Sequence, residues 1–308
     1  MAFFSENKYT LFGVAAIILW SCIVALIRDV SELFGPIGGA AMMYTISALF
    51  LTLVMGLPKL SDFPNRYLII GGSLFVLYEI CLALSLGMST NRHQAMEMAV
   101  INYLWPAITI LLSVMLSKKK VNRLVYPSVA IAFMGVAWCI AGDSGLSLSV
   151  LATNMTENPA TYFMAFSAAF IWAIYCLTTK QLSNGKNAIT LFFIATAVAL
   201  WVKYALSGET GFEFSVSSTF TLLLAGIVMG AGYALWNQAI MGGNLILLGT
   251  LSYFIPVFSA IFSSFYLAIT LPVSFWQGVA LVTFGSLMCY LVTKDKPKTR
   301  SKKYSGAG

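Results

Sequence analysis

Charged side chains are scarce in this sequence. Only 29 of its 308 residues, or 9%, are Asp, Glu, Lys or Arg, and 59% are apolar. Soluble domains average about 25% charged and about 45–50% apolar residues. So few charges could not cover the surface of a globule of this size, so much of that surface must face hydrocarbon. The composition argues against an ordinary soluble enzyme and predicts a membrane protein.

Motifs of metal, nucleotide or nucleophile chemistry are also lacking. The sequence has one histidine and no HExxH helix, P-loop or paired-carboxylate motif, which disfavours metalloprotease chemistry and direct use of ATP. Its five cysteines fall in apolar segments without a CxxC pair, so neither a disulfide nor a metal site is predicted, and no cofactor is implied. Gly142-Asp143-Ser144-Gly145 resembles a GxSG nucleophile motif, but the lone His93 lies at a different helix start. We therefore expect a protein that is not an enzyme.

Apolar runs recur along the chain with short polar breaks between them. A hydrocarbon core about 30 Å thick needs about 20 apolar residues per helical span. Uninterrupted runs of this length indicate helices, and the fold class predicted is an all-α membrane protein with ten transmembrane helices. The predicted spans are residues 9–27, 37–57, 67–87, 95–116 and 124–141, followed by 160–179, 188–206, 220–241, 245–269 and 274–293.

The last five predicted spans align with the first five, which indicates an internal repeat. Because five is an odd number, the second copy enters the membrane from the opposite side, so the two copies form an inverted repeat. Such a 5+5 bundle is expected to enclose a central cavity. The aligned residues are Trp20 with Trp172 at an offset of 152, Tyr78 with Tyr233 at 155, and Tyr103, Pro106, Gly135 and Cys139 with Tyr253, Pro256, Gly285 and Cys289 at 150.

The repeat and the charges define the predicted organisation. Residues 1–145 form the first repeat, 146–159 an outside loop, 160–293 the second repeat and 294–308 a basic tail. Of the 18 Lys and Arg residues, 15 fall on the side that carries both termini, and only Arg28, Arg92 and Lys203 fall on the other. Loops rich in Lys and Arg stay in the cytoplasm, so both termini are predicted to be cytoplasmic. This asymmetry explains the net charge of +7 without nucleic-acid binding.

Ionisable residues within the spans are the first candidates for a site. Glu79 lies in the middle of the third span, where an ionised carboxylate is costly unless it is paired or hydrated, so it should face the bundle interior. It contacts substrate or a proton there, or it locks the span to a neighbouring helix. His93 and Glu97 lie one turn apart at the outer start of the fourth span. They form an outer-mouth network, a proton relay or a solvated helix end.

Amides, indoles and prolines are the second group of candidates. An amide offers both donors and acceptors to a zwitterion, or serves as an interhelical clasp, which leaves two interpretations of Asn102 and Asn237. Trp20 and Trp172 lie in mid-span, away from the interfaces where Trp usually collects, and stack on substrate or pack in the core. Pro106 and Pro256 break the fourth and ninth spans as hinges or as static bends.

The chain also resembles the drug/metabolite transporter superfamily, in its EamA-like branch, and most closely the aromatic amino acid exporters of that branch. The stretches that carry the resemblance include Leu19-Trp20-Ser21, Asn102-Tyr103-Leu104-Trp105-Pro106, Phe170-Ile171-Trp172-Ala173, Trp236-Asn237 and Ser252-Tyr253-Phe254-Ile255-Pro256. The resemblance implies a 5+5 inverted topology and a cavity lined mainly by the first, third and fourth spans and their repeats. The predicted substrate-binding residues are Trp20, Tyr78, Glu79, Asn102, Tyr103, Trp105, Trp172, Tyr175, Tyr233, Trp236, Asn237 and Tyr253.

These expectations define one function and two alternatives. The sequence predicts an exporter in the bacterial inner membrane that moves amino acids, aromatic ones in particular, and related metabolites by alternating access of the two halves. Its partners are the small-molecule substrate and the lipid bilayer, with no nucleic acid or ATP, and no oligomer is implied. The alternatives are a channel-like metabolite pore and a proton-coupled antiporter of amphipathic drugs. We favour facilitated diffusion down the substrate gradient over proton coupling.

Overall fold

The computed structural model describes residues 2–87, 92–116, 122–141, 148–209, 211–267 and 271–293. These residues form helices and connecting turns, and no strand occurs among them. A short 3-10 turn at Leu60–Asp62 and a π-helical turn at Tyr67–Gly71 precede α3. The helices are α1 (Ala2–Phe34), α2 (Pro36–Met55), α3 (Gly72–Gly87), α4 (Arg92–Asn102), α5 (Trp105–Leu116), α6 (Val125–Ala141), α7 (Leu148–Glu157), α8 (Pro159–Leu182), α9 (Ile189–Ser207), α10 (Val216–Gly242), α11 (Leu245–Ser252), α12 (Ile255–Leu267) and α13 (Val273–Thr293).

Seven segments of the described chain are long and apolar enough to cross a membrane. Three shorter apolar segments accompany them, namely Lys8–Ile23, Val125–Ala141 and Leu245–Ser259. The prediction of an all-helical membrane protein is therefore confirmed, while the count of ten spans stays a prediction. The seven segments are Pro36–Met55, Tyr67–Leu86, Glu97–Leu116, Pro159–Leu182, Ile189–Ser207, Val216–Gly242 and Val273–Val292.

The first helix is longer than the predicted span. Helix α1 continues past residue 27 to Phe34 and stops where Gly35 adopts a φ of 77° ahead of Pro36. Glycine enters this left-handed region without steric cost, and proline fits the first turn of the next helix. The break therefore lies at Gly35 and not at Arg28 and Asp29, where the predicted span ended. The carboxylate of Glu209, from the α9–α10 connection, accepts hydrogen bonds from the amides of Ile37 and Gly38 at 3.3 and 3.0 Å.

Two predicted spans are each split into two helices. Helix α4 ends at Asn102 and α5 begins at Trp105, while α11 ends at Ser252 and α12 begins at Ile255. Proline is the second residue of both α5 and α12, where its missing N–H costs no helical hydrogen bond. The turns match in detail, because Leu104 N donates to Ile101 O at 3.0 Å and Phe254 N donates to Leu251 O at 3.0 Å.

The predicted outside loop contains a helix of its own. Helix α7 covers ten residues within the predicted range 146–159, and α8 begins at Pro159. Sequence patterning missed α7 because its polar residues Asn154, Thr156 and Glu157 interrupt the apolar pattern of the segment. The expected loop is thus a structured connection.

Helices from the two predicted repeats pack against each other in pairs. The most extensive contacts join α6 with α13, α1 with α10, α2 with α9, and α3 with α8, and α5 also packs on α11. One large core lies mainly among α1, α2, α3, α8, α9 and α10. A second core lies among α5, α6, α12 and α13.

The α6–α13 contact depends on glycine. A Cβ on Gly135 would lie 2.5 Å from the backbone N of Val282, and one on Gly285 would lie 2.5 Å from that of Ala132. The Cβ on Gly135 would also lie 2.9 Å from Gly278 O, and the Cβ on Gly285 would lie 2.8 Å from Ser128 O. Only glycine permits so close an approach of two backbones, which is a common mode of helix packing in membranes.

Candidate functional site

An aromatic cluster occupies the middle of the large core. The ring of Trp172 on α8 lies 4.6 Å from Tyr78 on α3 and 4.9 Å from Tyr175, measured between ring centroids. Trp20 on α1 lies 5.1 Å from both Tyr233 and Trp236 on α10. Such separations are typical of favourable aromatic pairs. Seven predicted site residues belong to this cluster: Trp20, Tyr78, Trp105, Trp172, Tyr175, Tyr233 and Trp236.

The cluster is arranged as two matched halves. Trp20 contacts Tyr233 at 5.1 Å, and Trp172, its repeat counterpart, contacts Tyr78 at 4.6 Å. The two indoles contact each other at 6.0 Å. Phe75 was not among the predicted residues, yet its ring lies 5.5 Å from Tyr175 and 5.4 Å from Tyr233. One apolar residue in an apolar span carries no sequence signal that would have singled it out.

Glu79 lies beside this cluster on α3. Its side chain is only 7% exposed, and the hydroxyl groups of Tyr44 and Tyr233 are polar neighbours of its carboxyl group. One carboxyl oxygen, Oε1, has no hydrogen-bond partner in the described part of the chain. Tyr44 on α2 was not predicted as a site residue. A tyrosine inside an apolar span needs a partner for its hydroxyl group, and that requirement is the signal that could have identified it.

Asn102 and Tyr103 lie at the end of α4 and in the turn that follows. The side chain of Asn102 is a polar neighbour of the Tyr78 hydroxyl group, and its Oδ1 atom has no hydrogen-bond partner among the described residues. Tyr103 packs against both cores. Its repeat counterpart Tyr253 is buried in the second core, with Phe275 and Cys289. The structure thus brings Asn102 to the aromatic cluster and places Tyr253 in a different core.

Asn237 on α10 has partners for both ends of its amide. Its Oδ1 accepts a hydrogen bond from the Tyr175 hydroxyl group at 2.8 Å, and its Nδ2 donates to Asn187 Oδ1 at 3.0 Å. Asn187, between α8 and α9, donates in turn to Ala234 O at 3.1 Å. Sequence reasoning missed Asn187 because it lies in a connection. This pattern is that of an interhelical clasp, the second of the two interpretations of Asn237.

Glu97 joins three helices at the end of the bundle where α4 and α8 begin. Its carboxylate accepts hydrogen bonds from Asn154 Nδ2 at 3.1 and 3.3 Å, and from the hydroxyl group of Tyr162. Helix α4 is thereby tied to α7 and α8. The side chain of His93, predicted to share this network, lies outside the described part of the structure. Of the two partners of Glu97, Asn154 comes from the connection that was expected to be a loop, and Tyr162 comes from α8.

Two indole N–H groups in the aromatic cluster have no hydrogen-bond acceptor among the described residues. They belong to Trp20 and Trp236. The Trp20 ring lies directly over Gly232, where a Cβ would come within 3.0 Å of Nε1. The described residues contain no group of three or more His, Cys, Asp or Glu that could hold a metal ion, and their five cysteines are free.

The arrangement suits binding of small molecules more than bond-making chemistry. Ring faces, one buried carboxyl group and unpaired donors and acceptors lie together in the interior of a helical membrane protein. Binding sites for amphipathic molecules have this composition, with apolar walls and a few convergent polar groups. Fold and site together define the class of multi-pass membrane transporters.

Comparisons with known proteins agree with this class. The profile of the EamA-like transporter family matches residues 159–291. The aromatic amino acid exporter YddG of Salmonella typhimurium is 46% identical over 292 residues, which are 95% of this chain and 100% of that protein. The exporter of the same name from Escherichia coli is 44% identical over 94% of this chain and 99% of its own. The chain therefore belongs to the EamA-like transporter family, as the sequence resemblance predicted, and it is a transporter and not an enzyme.

A solved crystal structure provides an independent comparison of the fold. It superposes with a TM-score of 0.77 at 20% sequence identity, over 92% of this chain and 97% of the other. At that identity, the likeness concerns the fold alone.

Proposed function

We propose that this protein exports aromatic amino acids and related metabolites by alternating access of two inverted five-helix halves. The observation that carries the proposal is the buried Glu79 carboxyl group beside a cluster of seven predicted aromatic residues. The rings suit an aromatic side chain, and the polar atoms suit a zwitterion. The two relatives named as aromatic amino acid exporters support the same substrate class.

Matched contacts support the inverted 5+5 arrangement. Exchanging each residue for its repeat counterpart converts the Trp20–Tyr233 contact into Trp172–Tyr78. It also converts the approach of Gly135 to Val282 and Gly278 into the approach of Gly285 to Ala132 and Ser128. Helix pairs obey the same exchange, since α1 with α10 becomes α8 with α3. A two-fold axis in the membrane plane accounts for all three correspondences.

This symmetry provides the transport mechanism. If each half adopts two slightly different packings, exchanging them converts an outward-open protein into an inward-open one of similar energy. The Glu97 network ties α4 to α7 and α8 at one end, and the Asn187–Asn237–Tyr175 clasp ties α8, α9 and α10. We assign Glu97, with His93, to the outer mouth. Pro106 and Pro256 are the proposed hinges because they follow the two matched helix breaks.

Lys and Arg residues orient the protein in the membrane. The predicted 15 to 3 excess on the side of both termini supports a cytoplasmic location for that side and an outside location for the α7 connection. Glu97 then lies near the outer face, and Asn187 lies near the inner face. The location that follows is the bacterial inner membrane, with substrate leaving the cell past α7.

Counterflow in liposomes tests this function. Purified protein is reconstituted into vesicles loaded with unlabelled Phe, and uptake of labelled Phe is measured with and without a pH gradient. Saturable, trans-stimulated uptake that does not need the gradient is expected for facilitated diffusion. Conductance that does not saturate would indicate the channel alternative. Uptake that requires the gradient would indicate a proton-coupled antiporter.

A further inference from the structure

Unpaired polar atoms of opposite character flank the aromatic cluster. Glu79 Oε1 and Asn102 Oδ1 are acceptors without a partner among the described residues. Trp20 Nε1 is a donor that also lacks a partner there. A buried polar atom without a partner is costly, and such atoms in a native protein are frequently functional. A zwitterionic ligand carries a cationic donor group and an anionic acceptor group. The unpaired atoms are complementary to both.

The acceptor side is built around one carboxyl group. The hydroxyl groups of Tyr44, from α2, and Tyr233, from α10, are polar neighbours of the Glu79 carboxyl group, so three helices converge on it. The two tyrosine rings belong to the same core as Trp172, and Tyr233 lies 5.6 Å from that indole. An ionised carboxyl group attracts a cation by direct charge, and the electron-rich rings around it add cation–π attraction. The same carboxyl group repels the carboxylate of a substrate.

We propose that Glu79, Tyr44 and Tyr233 form an ammonium subsite, so that the free amine of the ligand is recognised more strictly than its carboxylate. The inference rests on the proposed function for the existence of a binding site, and it deepens that function by naming the ligand class. Glu79 contacts the ammonium group, with Asn102 Oδ1 as a second acceptor. Tyr44 is a positioning residue that orients the Glu79 carboxyl group. Aromatic monoamines that lack a carboxylate belong to the ligand class, and aromatic acids that lack an amine do not.

Equilibrium binding to the purified protein in detergent tests the subsite without transport. The probes are phenethylamine, which keeps the amine, and 3-phenylpropanoate, which keeps the carboxylate. The full-length protein is expected to bind the amine at least about tenfold more tightly than the acid, which is the preference that one charge-assisted hydrogen bond provides. Equal affinities, or binding of the acid alone, would overturn the proposal, and so would failure to bind either probe.

Variants separate the positioning role of Tyr44 from general damage. Glu79→Gln is expected to abolish the preference for the amine, and Tyr44→Phe to reduce it about threefold or more while affinity for the acid is unchanged. Tyr126→Phe removes the hydroxyl group of an exposed tyrosine on α6 and should change neither affinity. An unchanged ratio of amine to acid affinity in Tyr44→Phe would contradict the role of Tyr44. Should that variant not fold, Tyr233→Phe and Glu79→Gln carry the same test.

The two proposals fail in different experiments. Absent Phe counterflow together with selective amine binding would overturn the exporter and leave the ammonium subsite intact. Saturable counterflow together with equal binding of the amine and the acid would overturn the subsite and leave the exporter intact.

Discussion

The periphery and the centre of this molecule use the internal repeat in opposite ways. At the α6–α13 contact, Gly135 and Gly285 approach corresponding backbone atoms at nearly equal distances, so the two halves are almost interchangeable there. At the centre, the rings of Trp20, Trp172, Tyr78 and Tyr233 keep the symmetry. The polar residues between them do not.

The asymmetry is visible position by position. At the repeat offset of 155, Glu79 corresponds to Ala234, and Asn237 corresponds to Leu82. At 150, Asn102 corresponds to Ser252. In the proposed transport cycle, the repeat supplies a scaffold with two similar packings, while polar side chains that differ between the halves give the site a direction. A zwitterion has two different ends, and a symmetric site would not distinguish them.

The largest expected effect concerns the asymmetric centre. Glu79→Gln should lower the rate of Phe counterflow by about 10- to 100-fold, because a charge-assisted hydrogen bond contributes about 1.5–3 kcal/mol. Membrane insertion should be unchanged, as checked by the amount of protein in the membrane fraction. Glu209→Gln is the matched control, since that carboxylate caps α2 away from the aromatic cluster and should alter counterflow less than about twofold. Equal rates in the wild type and Glu79→Gln would remove the site assignment.

The symmetric periphery predicts two equal losses of stability. Gly135→Ala and Gly285→Ala should each cost about 1–3 kcal/mol, because each new Cβ would lie 2.5 Å from a backbone nitrogen of the opposite helix. Thermal unfolding in detergent measures both. Gly230→Ala, whose Cβ would have its nearest neighbours at 3.3 Å, should cost less. A loss in one α6–α13 variant without a loss in the other would show that the matched contacts are not equivalent.

The clasp at Asn237 predicts a loss of stability without a loss of ligand affinity. Tyr175→Phe removes the donor to Asn237 Oδ1 and should cost about 1–3 kcal/mol of unfolding free energy. Combined with Asn187→Ala in a double-mutant cycle, it should show coupling of about 0.5–3 kcal/mol, because both residues bind the same amide. A weaker affinity for phenethylamine in Tyr175→Phe would instead place Asn237 in the ligand site.

The smallest effects on stability are expected at the two helix breaks. Pro106→Ala and Pro256→Ala should each change the unfolding free energy by less than about 1 kcal/mol, because proline in a first turn gives up no helical hydrogen bond. The counterflow rate should fall in both variants, and by similar factors, if the breaks act as hinges. Rates equal to that of the wild type would make them static bends.

Much of the scaffold could be predicted from local features of the sequence. Apolar runs identify spans because hydrocarbon imposes a length and a composition on each helix, and the repeat offset of 152 pairs Trp20 with Trp172 in the sequence alone. Glu79 was predicted because a carboxyl group in a span is costly. Residues such as Tyr44, Phe75 and Asn187 were missed, since their importance arises only from neighbours distant in the chain. Tyr253 was predicted as a site residue as the repeat counterpart of Tyr103, but the structure buries Tyr253 in the second core.

Labelling of one pair of repeat counterparts tests the inverted arrangement most directly. Glu32, in the last turn of α1, corresponds to Asn184, after α8, at the offset of 152, and both residues are exposed. Each is replaced by cysteine in a chain whose five native cysteines have been changed to Ala, and a membrane-impermeant thiol reagent is applied to intact cells. We expect Glu32→Cys to react in intact cells, and Asn184→Cys to react only after the cells are permeabilised. Reaction of both positions from the same side would contradict the inversion on which the proposed transport cycle depends.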